Sequence, residues 1–154
     1  MGCAPADDVP PPAIIDSGFD GAHEDLQASN VAGVNLSGEG DWNTDLAHHG
    51  THVAGTVAAL GGNGMGVVGV IPAGQLPLHI VKVFDAAGWA YSSTLTNAAE
   101  KCRLAGANVI SMSLGGALSS RTEDTKFKQL LGTYNILPIA AAGNDGNTRT
   151  SYPA

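Results

Sequence analysis

No lysine or arginine occurs in the first 81 residues of this 154-residue chain, although nine aspartates and glutamates do. A cation-free half cannot neutralise phosphates, which excludes nucleic acid as a partner on electrostatic grounds. Anionic membrane surfaces are excluded for the same reason. All seven basic residues lie between Lys82 and Arg149 beside five acidic ones, and the formal net charge is −7. Charged residues are scarce throughout, at 14%, where about 25% is usual. With 44% hydrophobic residues the composition specifies one domain with a buried core and excludes disorder. Only two cysteines are present, Cys3 and Cys102. They are compatible with one disulfide or two free thiols and leave the compartment open. Cys102 reads first as a small buried hydrophobe on a helix. The longest stretch without a charged side chain, Leu46 to Val81, carries four His, eight Gly and proline, so it is not a membrane span. The N-terminus lacks a cationic segment followed by an apolar run, so no secretion signal is read there.

Glycine is abundant, at 21 residues without a collagen period, which calls for many tight turns and close backbone approaches. Short apolar runs alternate with helical patterns. Ala13 to Ile15, Val31 to Leu36, Leu78 to Phe84, Asn108 to Met112 and Ile136 to Ala142 read as strands. Pro10, Pro11 and Pro12 leave little room for strand upstream. A helix rich in small residues spans His52 to Leu60 and ends at the glycines from Gly61. A second, capped by Ser92 or Ser93, runs to about Ala105, and a third opens at Thr122 and closes at Gly132. Ser37 to Asp45 reads as a surface loop. Near-continuous apolar strands separated by helices predict an α/β fold, a doubly wound parallel sheet with helices on both faces.

In such sheets, ligands bind beyond the carboxyl ends of the strands. Those ends are polar here: Asp16-Ser17-Gly18, Ser113-Leu114-Gly115-Gly116 and Gly143-Asn144-Asp145. A helix opening at His48-His49-Gly50-Thr51-His52 would bring imidazoles to the same edge. A carboxylate on a strand end and a histidine at a helix start are the parts of a base oriented by an acid. An Asn amide on a third strand end can donate to a developing oxyanion. Each is a weak signal alone. The spacing of His48, His49 and His52 also raises zinc as an alternative, although the adjacent glutamate of H-E-x-x-H is missing.

Taken together and in order, four stretches resemble the subtilisin-like serine proteases, the subtilases. They are Ile14-Ile15-Asp16-Ser17-Gly18, His49-Gly50-Thr51-His52-Val53-Ala54-Gly55-Thr56, Ser111-Met112-Ser113-Leu114-Gly115-Gly116 and Ala141-Ala142-Gly143-Asn144. The resemblance implies a serine endopeptidase, a hydrolase of protein or peptide substrates. In it Asp16 orients His49, His49 is the general base and then acid, and Asn144 donates to the oxyanion. Ser113, Leu114, Gly115 and Gly116 would pair with substrate backbone and line its pocket, with Gly88 bordering the other side. His52 would pack and bond near the site. The resemblance further implies a secreted enzyme without a catalytic cofactor, stabilised by calcium, with Asp25 and the Gly61 to Gly66 loop as ligands.

Two features depart from the family pattern. Val9-Pro10-Pro11-Pro12 replaces the usual strand-forming lead, so residues 1–12 read as an atypical lead and 13–154 as the N-terminal part of a catalytic domain. The family's nucleophilic G-T-S-M-A-x-P motif is absent, and no Gly-x-Ser triplet occurs anywhere. The expectation is therefore an incomplete subtilisin-like fold, inactive alone, whose further partner is the remaining C-terminal part of its own domain. A non-catalytic peptide-binding half-domain is the alternative.

Overall fold

A computed structural model describes residues 9–27, 30–74, 76–85 and 87–154. Its five strands are β1 (Ala13–Asp16), β2 (Val31–Asn35), β3 (Leu78–Lys82), β4 (Val109–Met112) and β5 (Leu137–Ala140). All pair in parallel, in the spatial order β2-β3-β1-β4-β5. Three helices connect them: α1 (His49–Ala58), α2 (Ser92–Leu104) and α3 (Arg121–Tyr134). From β1 the chain winds first to β2 and β3 and then, through α2, across to β4 and β5. All strands present their carboxyl ends to one edge.

Alternation along β1 shows why its first three residues are apolar. Ala13 and Ile15 join Val81, Ile110 and Met112 under Leu95, Ala98 and Cys102 of α2 and Leu130 of α3. Ile14 faces the other way, with Leu78 and Ile80, against Ala54 and Ala58 of α1. Both faces of the central strands are covered, so an unpaired polar group there is costly. The small residues of α1 let its backbone approach the sheet closely. On the α1 side, the β4–β5 half of the sheet is bare: Leu137 and Ile139 are about half exposed, opposite in alternation to Ala140, which packs under α2 and α3.

The elements foreseen from sequence are present, with shifted ends. Helix α1 starts earlier than the apolar pattern, at His49, and is already extended at Ala59. Its last carbonyls accept from Gly69, Val70 and Ile71, which stop it before the glycines do. Ser92 is helical and does not cap α2; its hydroxyl meets that of Ser120 at 2.5 Å. Ser120, not Thr122, caps α3 by accepting from Glu123 N. Gly132 lies within α3, which ends at Asn135 in the left-handed conformation. Of the atypical lead, residues 1–8 lie outside the described residues; the Pro12 carbonyl accepts from His79 N at 3.1 Å. Any pairing through Cys3 likewise lies outside them. Cys102 is free and fully buried, and burial pushes its thiol up to about 12, so it acts as a packing atom. Among the described residues, no helix is long and apolar enough to cross a membrane.

One buried group on β3 is set against acid. His79, between Ala13 and Ala32 in the ladder, has an Nε2 shut off from solvent without a partner, and burial lowers its pKa below the ordinary 6.5. The unfolded chain then binds more protons than the folded one below pH 6.5. Stability from neutral His79 is therefore complete above that pH and declines as pH falls below it. Urea unfolding at pH 7.5 and pH 5.5 should show a larger loss for the wild type than for His79→Leu; equal losses would contradict it.

Candidate active site

Strand β1 ends in a carboxylate, Asp16, that is fully buried. Ser17 N donates to its Oδ1 at 2.7 Å, and the same oxygen lies 2.7 Å from Nδ1 of His49. A carboxylate only accepts, so Nδ1 carries the proton in that bond. The imidazole itself is 55% exposed, and its Nε2 has no hydrogen-bond partner among the described residues. The second oxygen of Asp16, Oδ2, is sealed from solvent without a donor among the described residues.

His49 reaches this place because the start of α1 is bolted to the β1 turn. Ser17 Oγ accepts from Gly50 N at 2.9 Å and donates to Asp45 Oδ1 at 2.8 Å. The other Asp45 oxygen accepts from Thr51 N at 2.8 Å and Thr51 Oγ1 at 2.6 Å. Burial opposes ionisation of Asp45, but these bonds, with one from the His48 backbone, outweigh it and hold its pKa below the usual carboxylate value. An anion at a helix start is also favoured by the unpaired N–H groups there. Thr51 Oγ1 in turn accepts from Asp20 N at 3.0 Å. Gly50 is required by contact: a side chain there would overlap the Gly18 carbonyl, with Asp16 Cβ only 3.2 Å away.

Asp16, His49, Gly88, Ser113, Leu114 and Gly115 line one cleft of about 710 Å³ at the carboxyl edge. Asn144 and Gly116 lie in an adjoining hollow of about 570 Å³ that shares Ser113, Leu114 and Gly115. Gly116 is bound on its outer side by Tyr152, through two antiparallel bonds of 2.9 Å. Gly88 sits at positive φ in a turn whose N–H groups from Ala87 and Trp89 converge on Asp85.

Other expected residues stand apart. The helix turns His52 outward: it is exposed and its ring makes no hydrogen bond among the described residues, contrary to the expected packing role. His48 has left-handed backbone before α1, and no cluster of three or more His, Cys, Asp or Glu forms a metal site among the described residues. The zinc alternative has no support in this arrangement. Asp25 lies by the far end of α1, where its carbonyl accepts from Leu60 N. Sequence reasoning missed Asp45, read as the end of a surface loop, although an acid four residues before His49 was the available signal. It also missed Lys82, whose side chain lines the cleft.

Residues 13–154 match the Subtilase family. The chain belongs to this family. Subtilisin amylosacchariticus of Bacillus subtilis subsp. amylosacchariticus is 40% identical over 146 residues, 92% of this chain and 37% of that protein. Thermitase of Thermoactinomyces vulgaris is 34% identical over 146 residues, 92% of this chain and 50% of its own. The crystal structure of the psychrophilic subtilisin-like protease Apa1 from the Antarctic psychrotroph Pseudoalteromonas sp. AS-11 superposes with a TM-score of 0.84. Its identity is 51% over 92% of this chain and 33% of that one. The chain thus spans about a third to a half of the length of these subtilases. Serine-type peptide hydrolysis is the chemistry of the family, and no cofactor takes part in it.

The junction at Gly50 predicts an asymmetry between two glycines of α1. Gly50→Ala must push α1 off the β1 turn, at roughly 1–3 kcal/mol. At Gly55 an added Cβ meets nothing within 4 Å, so Gly55→Ala should be neutral or stabilising. Denaturant midpoints of the two variants measure this, and a harmless Gly50→Ala would show the close contact to be dispensable.

Proposed function

We propose that this chain supplies the acid–base half of a subtilase active site, in a secreted serine endopeptidase that cleaves protein or peptide substrates. The observation that carries this reading is the 2.7 Å contact between His49 Nδ1 and the buried Asp16. With the proton held on Nδ1, the Nε2 lone pair is free to take a proton from a serine hydroxyl as it attacks the scissile carbonyl. The imidazolium so formed is stabilised by Asp16, whose Oδ2 has no other donor among the described residues to offset its charge. His49 then returns the proton to the leaving amine, and water hydrolyses the acyl-enzyme by the same path. Asn144 would donate its amide to the tetrahedral oxyanion. Backbone groups of Ser113 to Gly115 would add substrate as a strand, with Gly88 opposite; Gly116, expected to pair as well, has its N–H and carbonyl taken by Tyr152.

A serine nucleophile would come from a further part of the catalytic domain, outside these 154 residues, and that part would also cover the bare half-sheet at Leu137 and Ile139. The expected result is that the chain alone turns over peptides no faster than its Asp16→Ala variant. The protein carrying the chain together with a serine-bearing segment should react with a fluorophosphonate probe. His49→Ala should slow its peptide hydrolysis by roughly 10²–10⁴-fold. Peptidase activity without probe labelling would overturn the reading.

Asp25 suits the calcium that the family implies. Its carboxylate is 2% exposed and has no ion pair among the described residues. It accepts from Asn63 Nδ2 at 2.6 Å and Val67 N at 3.0 Å. The Asn63 bond first, then that of Val67, lowers its pKa below 3.8. An enclosed anionic carboxylate is a hard oxygen donor of the kind calcium takes, and it would have to exchange these N–H partners for the ion. Asp25, Asn63 and loop carbonyls would hold the ion, whose contribution is to brace the loop. Calcium should raise the melting temperature of the wild type and not of Asp25→Asn. Equal shifts in both would remove Asp25 from the ligand set.

A further inference from the structure

Lys82, the last residue of β3, is only 7% exposed. Its Nζ donates to the Thr44 carbonyl at 2.9 Å and reaches the Asp41 carbonyl at 3.5 Å. It forms no ion pair among the described residues. An ammonium buried on neutral carbonyls is less favourable than an apolar side chain of similar length in the same space. Core packing therefore does not explain it.

What Lys82 touches does. The Thr44 carbonyl is the group against which Gly18 packs so closely that a side chain there would overlap it. The next residue is Asp45, whose carboxylate gathers Ser17, Thr51 and the start of α1. The segment from Asp41 to His48 is neither strand nor helix, so its position depends on such contacts. Phe19 N bonds the Trp42 carbonyl at 3.1 Å, and the two rings stack at 6.5 Å. On the sheet side, the Trp42 ring packs over Gly33 of β2 and the Lys82 ammonium grips the Thr44 carbonyl. Lys82 and Asp16 are direct partners in the β1–β3 ladder, so neighbouring strand ends carry the grip and the carboxylate on one rigid frame.

We propose that Lys82 is a positioning residue for His49: by fixing the Thr44 carbonyl it sets Asp45, and through Asp45 it seats the N-terminus of α1 where Nδ1 meets Asp16. This rests on the reading of Asp16 and His49 as an acid–base pair. Recognition of an acidic substrate group by Lys82 is disfavoured, because its ammonium is turned onto the Thr44 and Asp41 carbonyls and Asp16, Glu39 and Asp85 line the same cleft.

The test is solution NMR of the isotope-labelled chain. Wild type should show a far-downfield Nδ1 proton from the bond to Asp16, assigned through its loss in His49→Gln. Lys82→Met should lose that resonance and show mixed Nδ1 and Nε2 tautomers, while amide dispersion and the urea midpoint stay near wild type. Lys82→Arg, which restores a cationic donor, should keep it. Retention of the resonance in Lys82→Met overturns the proposal and leaves the acid–base pair intact, whereas its absence from wild type overturns the pair itself. An Arg variant that behaves like Met also counts against it. If Lys82→Met does not fold, Lys82→Leu, which also lacks a donor toward Thr44, takes its place with the same expected loss. Failure of both to fold would make Lys82 a residue of stability alone and end the proposal.

Discussion

The carboxylate of Asp45 joins two parts of the chain that the sheet alone would leave unconnected. Ser17 in the β1 turn bonds one of its oxygens, and Thr51 in α1 bonds the other twice. The geometry of the cleft follows from this junction. Without it, α1 would still pack on Ile14 and Ile80 through Ala54 and Ala58, because apolar burial is non-directional. Packing alone would not fix the rotation of the first helical turn. Directional bonds to an ionised, buried acceptor do, and they leave His49 one bond length from Asp16.

The molecule thus separates two kinds of stabilisation. The sheet faces carry the apolar area, with little polar content to satisfy. The carboxyl edge carries the polar groups, several of them held by a partner from a different element. On the outer surface, Glu100 of α2 pairs with Arg103 and with Lys126 of α3, and those bonds lower its pKa to about 2. That cluster is a third exposed and screened by water, so it contributes little to stability and mainly sets how the two helices meet. The same charges placed at the edge would compete with the Asp45 junction. The first 81 residues, which carry no cation and end just before Lys82, keep that competition out.

The strands were legible in the sequence because a doubly covered parallel sheet demands short apolar runs, and these stand out in a glycine-rich chain. Asp16, His49 and the Ser113 to Gly116 segment were legible because strand ends and helix starts must lie on the same edge. Helix ends were less so. Ser120 and Asn135 bound α3, whereas Thr122 and Gly132 carry the same local signals. At the start of α3 the Ser120 hydroxyl also meets that of Ser92 across the interface, a contact between residues 28 apart that local sequence does not show. Asp45 and Lys82 were hidden for a related reason. A loop acid and a strand-end lysine have no local pattern that marks them as buried.

By itself the sequence determined the class of fold, the order of its elements, the family and the edge at which the polar residues gather. These depend on local periodicity, turn chemistry and short motifs, which are properties of neighbouring residues. Only the tertiary structure decided that Nδ1 of His49 meets Asp16, that Asp45 is an internal anchor and that His52 faces outward. It also decided that Lys82 grips the Thr44 carbonyl from the next strand. Those outcomes depend on distances between segments tens of residues apart, set by the register of β1 on β3 and the seating of α1. Local pattern carries no measure of either.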